Sequence, residues 1–306
     1  MKITAGLGSI DSFCAYVKAG ADEVFCGYVP DAWYRYAGNV ALNRREVRLS
    51  NVNIGGKNEL TFLAQMAKER SVPVALTFNA HSYPADTYPL IADIIADCIE
   101  MGYVSFIIAD LALLVFLHTK RSLKAGWIIS GDFGEISPLL VEYLLEFDIQ
   151  RIIFPRSTSI QEMQSCIVAS HGCIPEFEAF VLNEKCHFHG ALCQGCHNDD
   201  LLPLCQIPYR VGSLQGTEDI PMWTQNPQTA LSGATGCGLC DIQKLAKAGI
   251  THLKVVGRGN LSDAMVRDIQ VVKDCRDAGE RIASSDCYRD YVRSRFPEGC
   301  SLNCYY

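Results

Sequence analysis

The chain has 306 residues, 49% of them hydrophobic and 20% charged, a balance that excludes disordered and fibrous proteins. Its 27 Lys and Arg residues against 34 Asp and Glu residues give a net charge of −7, which disfavours broad binding of nucleic acid or anionic membrane. Asp110 interrupts the longest apolar run, and the first residues lack the apolar core of a signal peptide. We therefore expect a soluble, cytoplasmic protein without membrane contact.

Short apolar runs recur along most of the chain and predict parallel β-strands. Each run has four to seven residues and little strict alternation, as in strands that helices cover. The predicted strands are 3–7, 23–26, 74–78, 105–109, 127–130, 151–154, 176–182 and 252–256.

Amphipathic stretches between these runs predict helices, the clearest being 59–70, 88–101, 138–147 and 160–170. Eight strand–helix units favour an α/β fold of the TIM-like (β/α)₈ barrel type over an open doubly wound sheet. No glycine-rich dinucleotide turn follows the first strand, in agreement with that choice. We predict a barrel over 1–280 and a cysteine- and aromatic-rich tail over 281–306.

An irregular cysteine-rich region, 183–240, follows the seventh predicted strand. A long loop there would lie on the C-terminal face of the barrel, where active sites are built. The chain has 15 cysteines, an odd number without an export signal, so a complete disulfide framework is disfavoured. Thiolates that converge from loops suit an iron–sulfur cluster or, alternatively, a zinc ion. The third interpretation is that these cysteines are free.

The spacing of four of these cysteines resembles a known family. Glu178 precedes Cys186 by eight positions, Cys193 follows by seven, Cys205 leads into Gln-Ile-Pro-Tyr-Arg, and Cys240 opens a predicted helix. That helix is followed by Lys-Val-Val-Gly-Arg at 254–258, and Gly-Ala-Asp-Glu-Val-Phe-Cys-Gly stands near the start at 20–27. Together these motifs resemble peptidase family U32, the collagenase-like group, over roughly residues 1–275.

The resemblance implies a [4Fe–4S] cluster on Cys186, Cys193, Cys205 and Cys240. Cys196 and Cys237 are additional cysteines that could substitute as ligands. Relatives in this family carry out oxygen-independent hydroxylation of ubiquinone, tRNA or ribosomal RNA, with prephenate suggested as the oxygen donor. The family motifs carry acidic residues where this chain has Ser157, Gly238 and Val256, so a shared substrate does not follow.

Polar residues at the predicted strand ends should converge on one cleft beside the cysteine-rich region. As catalytic candidates we take Asp110, Glu178, Arg156 and Lys254. As substrate-binding candidates we take Asn79, Ser130 and Arg258. The cations could hold a carboxylate or a phosphate, or they could form structural ion pairs with the acids. The segment 43–46 either caps this cleft or begins a solvated helix.

Three functions remain open from the sequence. The first is an iron–sulfur hydroxylase-like enzyme acting on a small molecule, such as a dicarboxylate, or on RNA. The second is a U32-type peptidase, although no GxSxG or HExxH motif is present. The third is a non-catalytic accessory subunit that carries a cluster to a protein partner. A polar cleft would favour an enzyme over an accessory subunit, and a homodimer is compatible with all three.

Overall fold

A computed structural model describes residues 1–38, 40–46, 52–186, 193, 235–296 and 299–306. Nine strands run through this part of the chain, and the eight predicted strands are confirmed with ends that differ by at most two residues. The strands are β1 (Lys2–Gly6), β2 (Glu23–Tyr28), β3 (Asn53–Ile54), β4 (Val74–Phe78), β5 (Ser105–Ile108), β6 (Gly126–Ile129), β7 (Ile149–Ile153), β8 (Glu176–Leu182) and β9 (His252–Val255).

Eight of the strands close into a parallel barrel. Their order is β1-β9-β8-β7-β6-β5-β4-β2, and pairing of β1 with β2 completes the circle. The two-residue strand β3, which the apolar pattern did not predict, pairs only with β2. The α/β class and the TIM-like (β/α)₈ barrel are therefore confirmed. The predicted cysteine-rich insertion falls mainly on 187–192 and 194–234, outside the described residues.

Ten α-helices lie in the described part of the chain, most of them between successive strands. They are α1 (Phe13–Ala19), α2 (Asp31–Ala37), α3 (Lys57–Arg70), α4 (Tyr88–Glu100), α5 (Leu111–Phe116), α6 (Pro138–Leu144), α7 (Ile160–Ala169), α8 (Ile242–Ala248), α9 (Ser262–Arg281) and α10 (Ser285–Ser294). The four clearest helix predictions are confirmed as α3, α4, α6 and α7. The division at residue 280 falls beside the end of α9 and stays a prediction.

Local sequence signals explain where several helices begin. Ser159 and Glu162 form a reciprocal capping box at the start of α7. Ser137 caps α6 by accepting a hydrogen bond from the Leu140 amide, and Pro138 stands at the first helical position, where a missing N–H costs nothing. These signals fix the first residue of each helix after the loop that follows the preceding strand.

Two apolar clusters stabilise the barrel. The larger one fills the layer between strands and helices, with Trp33, Trp127 and Phe106 among its buried residues. The smaller one lies inside the barrel and consists of Phe25, Ala75, Ile107, Ile128, Ile153, Phe180, Val256 and Tyr305. Seven of these side chains come from strands or a strand end, as expected where alternate residues point inward.

The C-terminal tail contributes the eighth member of that interior cluster. The ring of Tyr305 stacks on Phe180 with 6.4 Å between centroids and 23° between ring planes. The hydroxyl of Tyr306 donates to the Phe180 carbonyl at 2.8 Å. The aromatic end of the chain therefore closes part of the mouth of its own barrel.

Candidate functional site

A buried arginine organises the charges inside the barrel. Arg151, on β7, is 1% exposed and donates to both carboxylate oxygens of Glu23, at 2.6 and 2.7 Å. It also donates to Glu178 at 2.8 Å and to Glu176 at 2.8 Å. Burial and then Arg151 lower the pKa of the neighbouring His252 to about 4, so this imidazole is neutral at physiological pH.

Glu178 joins this network to a lysine that faces a cavity. Its second oxygen accepts a hydrogen bond from Lys254 Nζ at 2.6 Å. Burial alone would raise the pKa of the Glu178 carboxyl, but Lys254 and Arg151 together lower it to about 2. Burial lowers the pKa of Lys254, while Glu178 opposes that shift. Lys254 Nζ also lies 3.7 Å from the centroid of the Phe25 ring, which favours its charged form.

A cavity of about 100 Å³ opens above Lys254, at the C-terminal ends of the strands. We call it the barrel cavity. Its charged and polar lining residues are Arg44, Arg45, Thr77, Asn79, Ser130, Asp132, Arg156, Glu184, Lys254 and Arg258, with Cys186 beside them. Five of these side chains are cations and two are carboxylates, so the described lining is net positive.

Arg156 and Arg258 supply two of the predicted cations of the barrel cavity. The Arg156 guanidinium lies 4.0 Å above the centroid of the Phe180 ring and 3.7 Å from Asp132. Arg258 donates to Asn53 at 3.0 Å and to Thr77 at 3.3 Å. Burial and then the charge of Arg45 lower the pKa of Arg258 to about 10. It remains charged at neutral pH, and an anion in the cavity would be attracted to it.

The predicted polar residues Asn79 and Ser130 also line the barrel cavity. Asn79 accepts a hydrogen bond from the Arg44 amide at 3.1 Å, and Ser130 accepts one from the Asp132 amide at 3.1 Å. Each therefore holds a charged neighbour in place at the cavity wall.

Asp110 lies apart from the barrel cavity. One carboxylate oxygen caps helix α5 through the amides of Ala112 and Leu113, at 2.8 and 3.2 Å. The other accepts from the Tyr83 amide at 3.0 Å and the Tyr88 hydroxyl at 3.1 Å. The structure thus assigns this predicted catalytic carboxylate four structural hydrogen bonds.

One of the four cysteines implied as cluster ligands lines the barrel cavity, and a second contacts a residue of its wall. Cys186 is part of its lining, and the Arg44 guanidinium donates to Cys193 Sγ at 2.7 Å. Cys205, like the possible substitute Cys196, lies outside the described residues. Cys240 does not line the cavity and lies instead at the turn that begins α8.

The remaining substitute, Cys237, lies near Cys240 and pairs with Cys304 of the tail in an isolated β-bridge. Within the described residues, no three Cys, His, Asp or Glu side chains are already arranged to hold a metal ion. The described residues therefore do not contain a complete set of metal ligands.

Sequence reasoning missed or left open three features of the site. Arg44 and Arg45 line the cavity, in agreement with the alternative in which the segment 43–46 caps the cleft. Glu184 lines it and forms an ion pair with Arg45. Arg151 anchors the carboxylates beneath, and charged residues within the predicted strands, such as Arg151 at the start of 151–154, were the signal of an interior ion pair.

Comparison with known proteins identifies the family. The model of peptidase family U32 matches residues 8–301, nearly the whole chain. The chain belongs to peptidase family U32. No curated protein matches the sequence.

Three solved structures show similarity to this chain. The native KDPGal structure is 8% identical, with a TM-score of 0.50 over 92% of this chain and 97% of that one. A cube-shaped, highly porous designed protein cage is 8% identical, with a TM-score of 0.50 over 96% of this chain and 77% of that one. The U32 peptidase Mk0906 is 13% identical, with a TM-score of 0.44 over 60% of this chain and 70% of that one. At these identities the first two likenesses support the barrel fold alone.

None of the helices in the described ranges combines the length and the apolar character needed to cross a bilayer.

Proposed function

We propose that this U32 family member is an iron–sulfur-dependent, oxygen-independent hydroxylase-like enzyme that acts on a small anionic molecule. One observation carries the proposal: Cys186 and the cations Arg156, Lys254 and Arg258 line the same cavity. A cluster bound there would lie beside the place where a substrate carboxylate is held. This arrangement favours a small-molecule substrate over RNA.

The cluster we propose is the [4Fe–4S] centre that the family resemblance implies, on Cys186, Cys193, Cys205 and Cys240, with Cys196 and Cys237 as substitute ligands. Thiolates are the usual ligands of such clusters, and the Arg44 hydrogen bond to Cys193 stabilises a negatively charged sulfur. When bound, the cluster would supply one-electron chemistry. Zinc on the same thiolates is the alternative that metal analysis would detect.

The protein's own residues would bind and orient the substrate. Arg156 and Arg258 offer planar guanidinium groups that can hold carboxylates through paired hydrogen bonds. Lys254 holds a proton at Nζ on the cavity surface, and Glu178 keeps that ammonium in position from below. Prephenate, the oxygen donor implied by the family resemblance, carries two carboxylates and so suits this set of cations.

The cavity favours this function over the two others. Ten of its eighteen lining residues are charged or polar, whereas an accessory subunit needs no such pocket. A peptidase of the cysteine type needs a thiol beside a general base, and the described lining includes Cys186 but no histidine. The peptidase, the accessory role, a protein partner and the cytoplasmic location all stay predictions.

The test is anaerobic purification followed by an ultraviolet–visible spectrum and analysis of iron and sulfide. The variants Cys186→Ala, Cys193→Ala and Cys205→Ala should lose the broad visible absorption of the cluster, whereas Cys173→Ala, at an exposed position, should keep it. A colourless wild-type protein, or one that contains only zinc, would overturn the proposal.

Substrate binding is tested separately by titrating prephenate into the anaerobic protein in a calorimeter. Arg258→Met and Arg156→Met should each weaken binding about tenfold or more, because each removes a charge-assisted hydrogen bond. The matched control is Arg121→Met, whose surface side chain pairs with Asp93 far from the cavity lining. Equal affinities in all three variants would exclude this cavity as the anion site.

A further inference from the structure

Arg258 differs from the other buried cations of the barrel interior in having no carboxylate partner among the described residues. Arg151 pairs with Glu23 at 2.6 Å, and Lys254 pairs with Glu178 at 2.6 Å. Arg258 is only 8% exposed, yet both of its hydrogen bonds go to neutral oxygens. Because buried charges are normally paired, this guanidinium is suited to bind an anionic ligand from the cavity.

Both hydrogen bonds of Arg258 use the same terminal nitrogen. Nη1 donates to Asn53 Oδ1 at 3.0 Å and to Thr77 Oγ1 at 3.3 Å. Nε and Nη2 have no hydrogen-bond partner in the described part of the chain, and the side chain lines the barrel cavity. These two nitrogens form the edge of a guanidinium that holds a carboxylate through two parallel hydrogen bonds. The geometry therefore leaves this edge of Arg258 for a ligand.

Asn53 holds both Arg258 and the segment that caps the cavity. Its Oδ1 accepts from Arg258, and its Nδ2 donates to the Arg45 carbonyl at 2.9 Å. A guanidinium can only donate and a carbonyl can only accept, so these two partners fix the orientation of the amide. A carboxylate in its place could make only the first of these bonds, and an apolar side chain neither.

The bond to Asn53 brings Arg45 beside Arg258. Arg45 Nη2 lies 3.4 Å from the position that a Cβ on Gly259 would take, and Gly259 is the next residue in the chain after Arg258. After burial, the charge of Arg45 is the largest influence that lowers the pKa of Arg258. Two neighbouring cations attract an anion more strongly than one, so a ligand bound to Arg258 also experiences the field of Arg45.

The short strand β3 explains how Asn53 reaches Arg258. In the parallel register Asn53 lies opposite Gly27 of β2. A Cβ on Gly27 would stand 1.9 Å from Asn53 Oδ1 and 2.6 Å from Arg258 Nη1, so the hydrogen bond between them needs a glycine at this position. The two residues of β3 thus place an amide at the cavity wall, near the C-terminal end of β2.

We propose that Arg258 is the principal carboxylate-binding residue of the barrel cavity and that Asn53 is the residue that positions it. Asn53 is not part of the cavity lining, so it acts through Arg258 and Arg45. Arg156, in contrast, lies within ion-pair distance of Asp132, at 3.7 Å, so its charge is already partly offset. In the proposed function, on which this assignment rests, the ligand is a carboxylate of the small anionic substrate.

The test is a calorimetric titration of prephenate into the anaerobically purified full-length protein, with the thermal midpoint of each ligand-free variant measured alongside. Asn53→Ala should weaken binding about tenfold, because the guanidinium loses a charge-assisted hydrogen bond that orients it. Gly27→Ala should weaken it by a similar factor, because the new Cβ displaces the Asn53 amide. Arg258→Met should weaken binding more than Arg156→Met does.

Asn53→Asp separates a positioning role from a structural one. The new carboxylate would give Arg258 a counter-ion within the protein, so the ligand-free midpoint should be no lower than that of Asn53→Ala. The same carboxylate would compete with the substrate, so binding should weaken about tenfold or more. A residue that only stabilised the fold would give the opposite order, with tighter binding in the more stable variant.

Gln243→Ala is the matched control. Gln243 is half-buried like Asn53, and its amide donates to the Gly279 carbonyl at 3.1 Å and to the Ile282 carbonyl at 2.6 Å, away from the cavity lining. This variant should lower the midpoint and keep the affinity of wild type. Wild-type affinity in Asn53→Ala and Asn53→Asp would overturn the role of Asn53, and so would an equal loss of affinity in Gln243→Ala.

Failure of the proposed function and failure of this assignment give different results. Absence of iron from the purified protein would refute the cluster, whereas the titration measures prephenate and leaves the assignment standing if the Asn53 variants bind it more weakly. Iron-containing protein whose Asn53 variants bind prephenate as wild type does would refute this assignment alone. Wild-type protein that binds inorganic phosphate more tightly than prephenate, or binds neither, would overturn the carboxylate role of Arg258.

Discussion

The buried arginine of the barrel interior offers a sharp test of how the fold is stabilised. Arg151→Met keeps an unbranched side chain of similar length but removes the charge that Glu23, Glu176 and Glu178 share. Replacing one partner of a buried ion pair leaves carboxylates without compensation and costs about 3–5 kcal/mol. We expect Arg151→Met to lower the free energy of unfolding at neutral pH by about 3 kcal/mol or more.

The expected loss of stability can also be estimated from the pKa of Glu178. Its pKa of about 2 in the folded protein, against an ordinary value of 4.5, corresponds to about 3 kcal/mol of stabilisation at neutral pH, shared between Arg151 and Lys254. Because the folded pKa is the lower one, this contribution is complete above pH 4.5 and is lost as the pH falls towards 2. The difference in stability between wild type and Arg151→Met should therefore narrow through that window.

The assay is urea unfolding followed by circular dichroism, at pH 7 and again at a pH of about 3. Arg121→Met is the matched control, because Arg121 pairs with Asp93 at 2.8 Å on the surface and both side chains are more than a third exposed. That control should lose less than about 1 kcal/mol. The reasoning is refuted if Arg151→Met loses no more stability than Arg121→Met, or if its deficit does not shrink in acid.

Two further predictions concern packing at the barrel mouth. Gly8→Ala would place a Cβ 1.9 Å from the Arg258 carbonyl oxygen, so it should lower the thermal midpoint markedly, whereas Gly55→Ala, with nothing nearer than 3.8 Å, should be tolerated. Similar midpoints for the two variants would show that the backbone at Gly8 can move away. Tyr305→Ala should cost about 2 kcal/mol in calorimetric stability by removing the ring stacked on Phe180, while Tyr305→Phe should cost less than half of that.

The barrel could be predicted from the sequence because each of its signals is local. An apolar run such as 74–78 can form a strand only where both faces are covered, and eight such runs separated by amphipathic helices leave few arrangements. Strand β3 escaped prediction because its two residues carry no periodicity, and its pairing depends on the neighbouring edge of β2. Helix α2, which contains Tyr34 and Tyr36, was missed because only Trp33 among its side chains is buried.

The candidate site could be predicted only where its residues follow strands. Asn79 and Ser130 come directly after strand ends and Arg156 comes three residues after one, and the barrel topology brings such positions to one face. Arg44 and Arg45 reach the same cavity from a loop. The position of a loop is not predicted by any periodic pattern in the sequence. The bridge between Cys237 and Cys304 joins residues 67 positions apart, and its formation depends on how the tail packs at the barrel mouth.

The geometry also separates the roles of two residues that the sequence placed together as catalytic candidates. With a pKa of about 2 and both oxygens already accepting hydrogen bonds from Arg151 and Lys254, Glu178 is a poor proton acceptor at neutral pH. Lys254, in contrast, presents its ammonium to the cavity and is the group that could touch a substrate. Glu178 therefore acts as a positioning residue that keeps Lys254 charged. An anion held by Arg258 would lie in reach of the same cavity surface, so under the proposed function binding and proton delivery would take place at the same end of the barrel.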